Sequence, residues 1–157
     1  MSVKTQGTEL FLIDNVTDPL TPAIVKFACP TGITGLGGAT DQIDTTCLGN
    51  NERTFVQGLA NPGQVSVPFN FDPTAASHQL LFALKEAGSN LDWMICLSDG
   101  TAEPTLSGSD LFVAPDARTS AGFIAYISDV NIDIATNEIV RGTLTLQRSG
   151  AVTWYFN

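Results

Sequence analysis

Positive charge is scarce in this chain: seven Lys and Arg stand against 16 Asp and Glu, giving a formal net charge of −9 and a pI near 4.2. Holding nucleic acid by its phosphates needs clustered cations that displace condensed counterions, and no Lys/Arg cluster occurs anywhere in the sequence. A sequence-reading DNA binder is therefore disfavoured. An acidic surface beside DNA repels it, which is useful only where DNA must slide past without sticking. Histidine is scarcer still. The single imidazole, His78, would have to serve as base in any Ser-His-Asp or Cys-His triad. No GxSxG elbow accompanies it, and its place beside Gln79 on a predicted helix reads as a surface or helix-flank histidine. The three cysteines, Cys29, Cys47 and Cys96, form no CxxC pair, and one histidine is too few to help them bind metal. They are expected to be free thiols, as in a protein folding in a reducing cytosol. Apolar runs are short. Residues 10–13 are too few for a signal peptide, and nothing approaches the roughly 18 apolar residues of a membrane span, so neither a cleaved signal nor a membrane partner is expected.

The remaining candidates for chemistry are thin. Gly35, Gly37 and Gly38 have no following lysine or helix pattern to make a phosphate loop, and flexibility is the expected reason for them. Asp41 and Asp44 resemble a fragment of a calcium loop without its other oxygen ligands or terminal Glu. No pair among the acids is singled out for sugar hydrolysis. No cofactor, metal or catalytic residue is expected, and an enzyme is the least favoured class.

What the chain does have is a foldable composition. Hydrophobic residues make up 43% and charged residues only 15% of 157 positions. The first figure excludes a disordered chain. The second falls below the roughly 25–35% charge of an ordinary soluble surface, which points to surface covered by other copies. At ~150 residues per domain the chain is expected to be one unit, residues 1–157, and no internal repeat or composition break divides it.

Residues 8–14 and 23–28 read as strands around a turn-rich stretch at 15–22, an opening hairpin. Residues 29–51 are polar and rich in Gly and Thr, longer than an ordinary structureless loop, with Ile33, Leu36, Ile43 and Leu48 interspersed. A long protruding hairpin or loop, ordered by another subunit, is expected. Val65, Val67, Phe69 and Phe71 alternate with polar residues at strand period, and Pro68 requires an open side or a bulge there. Asp72 as N-cap, Pro73 at the first position, leucines at 80, 81 and 84, and Gly88 as terminator predict a helix over 73–87. A strand at 91–97 ends in Ser98-Asp99-Gly100. Then Ile124, Tyr126, Val130, Ile132 and Ile134 are expected on one face of a strand. A turn at 135–137 and a return strand at 139–148, with Leu144 and Leu146 opposite Thr143, Thr145 and Gln147, complete a long hairpin. The carboxy-terminal arm, residues 151–157, carries Trp154, Tyr155 and Phe156 and must dock on its own sheet or a neighbour. The fold class is mainly β: an antiparallel β-sandwich or barrel with one flanking α-helix and a long protruding loop.

Residues 43–73, IDTTCLGNNERTFVQGLANPGQVSVPFNFDP, carry a family resemblance. Asp44 and Thr46 in a loop lead to Arg53 and Phe55 on a strand, then Gly58-Leu59, Gly63, an alternating strand and a helix. With residues 93–100 and 125–146 in similar order and spacing, this set resembles the tail tube proteins of lambda-type long-tailed bacteriophages. The resemblance implies a β-sandwich with a flanking helix that assembles as hexameric rings, whose inner strands form one barrel around a lumen. Stacked rings would make a virion tail tube, assembled in the host cytoplasm, through which double-stranded DNA passes for ejection without specific binding. It also implies tape measure, tail terminator and tail-tip partners. Contacts between subunits would fall on Ile33, Leu36, Asp41, Ile43, Asp44, Thr46, Leu48, Arg53, Trp154, Tyr155 and Phe156. Asp129, Asp133 and Glu138, on or beside the last hairpin, are the candidate lumen-facing acids. Deleting residues 35–49 is expected to leave the subunit folded and stop tube growth. The alternatives are the tube protein of a contractile secretion machine and a small β-sandwich binding or capsid-decoration module.

Overall fold

A computed structural model describes residues 2–157. In chain order its elements are β1 (Glu9–Asp14), β2 (Ala23–Lys26), β3 (Thr40–Asp44), β4 (Phe55–Ala60), β5 (Gln64–Asn70), α1 (Ala76–Ala87), β6 (Leu91–Cys96), β7 (Thr105–Leu106), β8 (Phe112–Val113), β9 (Ser120–Asp133), β10 (Arg141–Arg148) and β11 (Thr153–Tyr155). One seven-stranded sheet runs β2-β1-β6-β9-β10-β5, with β11 also on β9; β3-β4 and β7-β8 are separate hairpins. Every pairing is antiparallel.

The sheet closes on itself. Beyond β2 the chain crosses from β1, where the Phe27 amide donates to the Leu10 carbonyl, to the far edge of β5, where Pro30 and Thr34 bridge to Phe69 and Ser66. The residues of β5 whose amides face this crossing are Ser66 and Asn70, so the missing N–H of Pro68 falls on the crossing side and not toward β10. That is how a proline sits inside a sheet without breaking a ladder. Inside the curl, Leu10, Leu12, Val65, Val67, Phe69, Trp93, Ile95, Ala125, Ile127, Leu144 and Leu146 form one core. The outer face of β1 and β6 is also covered: Phe11, Met94 and Cys96 lie buried beside Ile24 and Phe112 of the β7-β8 side. Burial pushes the Cys96 thiol up to about 11, which makes it a packing group and a poor nucleophile.

Three sequence expectations are corrected. The helix begins at Ala76, not at residue 73: the Asp72 carboxylate accepts from the Thr74 amide and hydroxyl, and residues 72–75 form a separate turn, leaving Ala75 as an N-cap without a side-chain bond. Gly88 does end it in the left-handed conformation, φ 63°. Second, Ile124 and Tyr126 do not share a face with Val130 and Ile132. Thr145 pairs with Asp129 and Leu146 with Ile127, so Ser128 is the extra residue of a β-bulge. A bulge reverses the alternation; Ile124 and Tyr126 point out, and Val130 is buried. Third, Gly35 is not there for flexibility. Its φ is +93°, and a Cβ on it would lie 1.9 Å from the Gln64 carbonyl oxygen, so only glycine permits the crossing to press against β5.

His78 is also not a flank residue. It is 0% exposed, wedged among Phe27, Phe69 and Phe71. Its Nε2 donates to the Ala28 carbonyl at 2.7 Å while Nδ1 accepts from the Asp72 amide at 3.0 Å. Beside it, Ser77 Oγ accepts from the Ala28 amide. These bonds latch α1 to the crossing segment and close one end of the barrel. Substituting His78→Ala strands a buried donor and acceptor and opens a void, for an expected loss of about 2–4 kcal/mol; urea unfolding of the unassembled protein measures it.

Candidate assembly interface

The hairpin β3-β4 stands away from the barrel. All five residues of β3 are exposed, and in β4 only Gly58 is half-buried. Local bonds hold its tip: Asp44 Oδ1 accepts from the Thr46 amide at 2.9 Å, Thr46 Oγ1 accepts from the Thr54 amide at 3.0 Å, and the Thr45 amide donates to the Thr54 carbonyl. The hydrogen bonds from Thr46 also hold the Asp44 carboxyl below its ordinary value. At the base the Asn61 amide donates to the Ala39 carbonyl at 2.9 Å. Yet this polar frame displays Ile43, Leu48, Phe55, Val56 and Leu59 to solvent, Leu59 at 85% exposure. An isolated two-stranded hairpin is marginal in water, and such a row of apolar groups marks a contact surface.

The expected contact residues divide three ways. Asp41, Ile43, Asp44, Thr46, Leu48 and Arg53 lie on the arm and are exposed. Ile33 and Leu36 are instead half-buried against the subunit's own core, because the crossing segment that carries them closes the barrel. Trp154 and Tyr155 lie on β11, which does dock on its own sheet by pairing with β9. Their rings remain partly exposed, Trp154 stacks on Phe156 at 6.1 Å, and Phe156 is 81% exposed.

Of the three expected lumen acids, Asp129 and Asp133 are exposed on β9 and Glu138 is exposed in the turn after it. Asp129 has a cation nearby, Lys85 at 3.4 Å. The side of β5, β10 and the end of β9 away from the core carries the uncharged Ser66, Asn70, Asn131, Thr143, Thr145 and Gln147 together with Asp129, Asp133 and Arg141, which pairs with Asp133 across the two strands.

Sequence reasoning missed two buried cations. Arg118, 2% exposed, donates to the carbonyls of Gly7, Cys96, Leu97 and Ala102 and to Glu9 Oε2 at 3.0 Å. Burial alone would raise the Glu9 carboxyl, but hydrogen bonds from Lys26 and Arg118 outweigh it and hold it below its ordinary value of 4.5. Arg148 closes β10 at the root of the arm, where Nη2 donates to the Gly37 carbonyl. Nothing in the local sequence of Arg118 separates it from a surface arginine, whereas the alternation of Leu144 and Leu146 carries Arg148 onto the core face of β10.

A closed antiparallel barrel with one latch helix and a free apolar hairpin is the frame that carries these surfaces. The chain belongs to the lambda-like phage tail tube family, whose model matches residues 1–157. It is 38% identical over 152 residues to Structural protein 3 of Pseudomonas phage PAJU2, covering 94% of this chain and 90% of that one. Among solved structures it is similar to the SPP1 tail tube (TM-score 0.68, 13% identity, 99% of this chain and 80% of that one). It is also similar to a sheath/tube terminator of an extracellular contractile injection system (0.71, 12%, 99% and 98%). A third likeness is to the tail of a gene transfer agent particle refined with C6 symmetry (0.60, 12%, 94% and 96%). These structural likenesses show the fold. The family match and the phage relative make this a structural protein of the phage tail tube, located in the virion tail, rather than a secretion-machine tube or a decoration module.

Proposed function

We propose that six copies close into a ring around a channel, as the C6 symmetry of the gene transfer agent tail suggests by likeness, and that the rings stack into the conduit through which DNA leaves the virion. The observation that carries this reading is the β3-β4 arm, an apolar hairpin that its own subunit leaves uncovered. Head-to-tail association that does not close produces a filament, and an arm reaching the next ring supplies that contact. Asp41, Ile43, Asp44, Thr46, Leu48 and Arg53 are the arm's contribution, and Trp154, Tyr155 and Phe156 form a second contact patch. Ile33 and Leu36 act indirectly by fixing the arm's root.

The face of β5, β10 and the end of β9 away from the core, where Asp129, Asp133 and Arg141 stand among uncharged residues and Glu138 lies beyond the strand end, is the side assigned to the channel. Weak repulsion from phosphate keeps DNA mobile. The subunit is not an enzyme on this reading, and its sole imidazole, with both nitrogens engaged in the core, is not free to act as a base. Tape measure, terminator and tail-tip proteins are its partners, and assembly takes place in the host cytoplasm. Electron microscopy of the purified protein over a concentration series tests the proposal. Rings or tubes with a stain-filled centre are expected; monodisperse small particles at every concentration, with or without tail-tip complexes to initiate growth, would refute it. A map placing Asp133 and Glu138 on the outer wall would refute the channel assignment alone.

A further inference from the structure

The two buried arginines are treated unequally. Arg118 has a carboxylate and a full set of carbonyl acceptors. Arg148 is 4% exposed, yet no Asp or Glu among the described residues pairs with it. Its Nε is buried without any partner, and Nη2 has the Gly37 carbonyl. Arginine stays charged at any accessible pH, so a guanidinium left this way carries an uncompensated desolvation cost. The group lines a half-open cleft of about 220 Å³, walled by Leu36, Ala60, Pro62, Val152 and Trp154. One wall is thus the base of the arm and another is the aromatic end of the chain, the two surfaces assigned above to contacts between subunits.

We infer that the Arg148 cleft is a socket for a carboxylate from a second copy of this chain, an Asp or Glu side chain that pairs with the guanidinium only in the assembled tube. The inference rests on the tube reading and adds the chemistry of one contact. A second copy is the favoured donor because the chain has 16 acids and a net charge of −9, and its ion pairs engage only Glu9, Glu103 and Asp129 among the described residues. Filling the socket gives the guanidinium a counter-charge, and because Nη2 already holds Gly37, it also stiffens the strand end from which the arm departs. Assembly and arm direction are coupled through one side chain.

A cryo-EM map of tubes grown from the unmodified protein tests this directly, with a neighbouring copy's carboxylate expected in hydrogen-bond contact with the Arg148 guanidinium. Arg148→Met gives the second reading: the unassembled variant should melt within a few degrees of the parent, while the concentration needed for tube growth rises about tenfold or more. Tubes in which Arg148 meets only water, a small anion or its own chain overturn the socket and leave the tube reading standing. So does a variant that melts far lower yet, when folded, polymerises at the parent's concentration. Failure of the unmodified protein to form any ring or tube overturns both.

Discussion

Replacing residues 40–60 with a short Gly-Ser turn should leave a folded subunit that no longer polymerises. The cut is local because its two ends already meet, the Asn61 amide donating to the Ala39 carbonyl at 2.9 Å, and because no residue between them is buried. The core therefore loses nothing, and a thermal melt of the unassembled variant should lie within a few degrees of the parent. The assembly loses Ile43, Leu48, Phe55, Val56 and Leu59 together. Burying even two such side chains contributes about 3 kcal/mol or more, so the threshold concentration for tubes should rise at least about a hundredfold. Sedimentation and electron microscopy read the result. Tubes of unaltered length at the parent's threshold would remove the arm from the interface. The wider deletion expected from sequence, residues 35–49, is a different experiment. It would take Leu36 out of the core, remove the Gly37 carbonyl from Arg148 and leave β4 without β3, so its failure to polymerise would say little about the arm.

That difference shows where the sequence was legible. Strands with unbroken alternation could be read directly: Val65, Val67 and Phe69 on β5, and Leu144 and Leu146 on β10, lie in the core as their spacing requires. Alternation fails as a guide once a bulge intervenes, and nothing in ISDVN announces that Ser128 is the extra residue. The tail-tube likeness was legible as an ordered set of short elements. The closure of the barrel was not, because it depends on Pro30 and Thr34 meeting β5 more than 30 residues away, a tertiary fact with no local period. The short hairpin β7-β8 was hidden because each of its strands has only two residues, too few to show a period. His78 was misplaced, and Arg118 and Arg148 were passed over, by the general rule that titratable residues stay at the surface. His78 and Arg118 are satisfied by backbone groups that only the folded chain brings together, whereas Arg148 has the Gly37 carbonyl alone.

Arg118 is the exception whose removal should cost most. Substituting Arg118→Met keeps much of the side-chain volume but leaves the carbonyls of Gly7, Cys96, Leu97 and Ala102 short of a donor and Glu9 short of its buried partner. Leaving buried carbonyls without a donor costs about 1–3 kcal/mol each, and a total of about 3–5 kcal/mol lowers the melting temperature of a chain of this size by roughly 10 °C or more. The backbone adds to the case. Ala117 sits at φ 56°, a conformation side chains rarely adopt, and Gly100 approaches so closely that a Cβ on it would lie 2.4 Å from the Ala117 carbonyl oxygen. The guanidinium is what ties this turn to the end of β6 and to the amino-terminal segment. The acid dependence has a definite sign. Glu9 is held below its ordinary 4.5 in the folded state, so its contribution is complete above that value and is lost as pH falls through the depressed folded value. The gap between parent and variant should therefore narrow at low pH. Arg118→Lys should not rescue the fold, since one ammonium cannot serve acceptors spread around a planar fork. Thermal melts of the unassembled proteins at neutral pH and below 4.5 measure both effects. A methionine variant melting within a few degrees of the parent at neutral pH would show that the turn is held by packing alone.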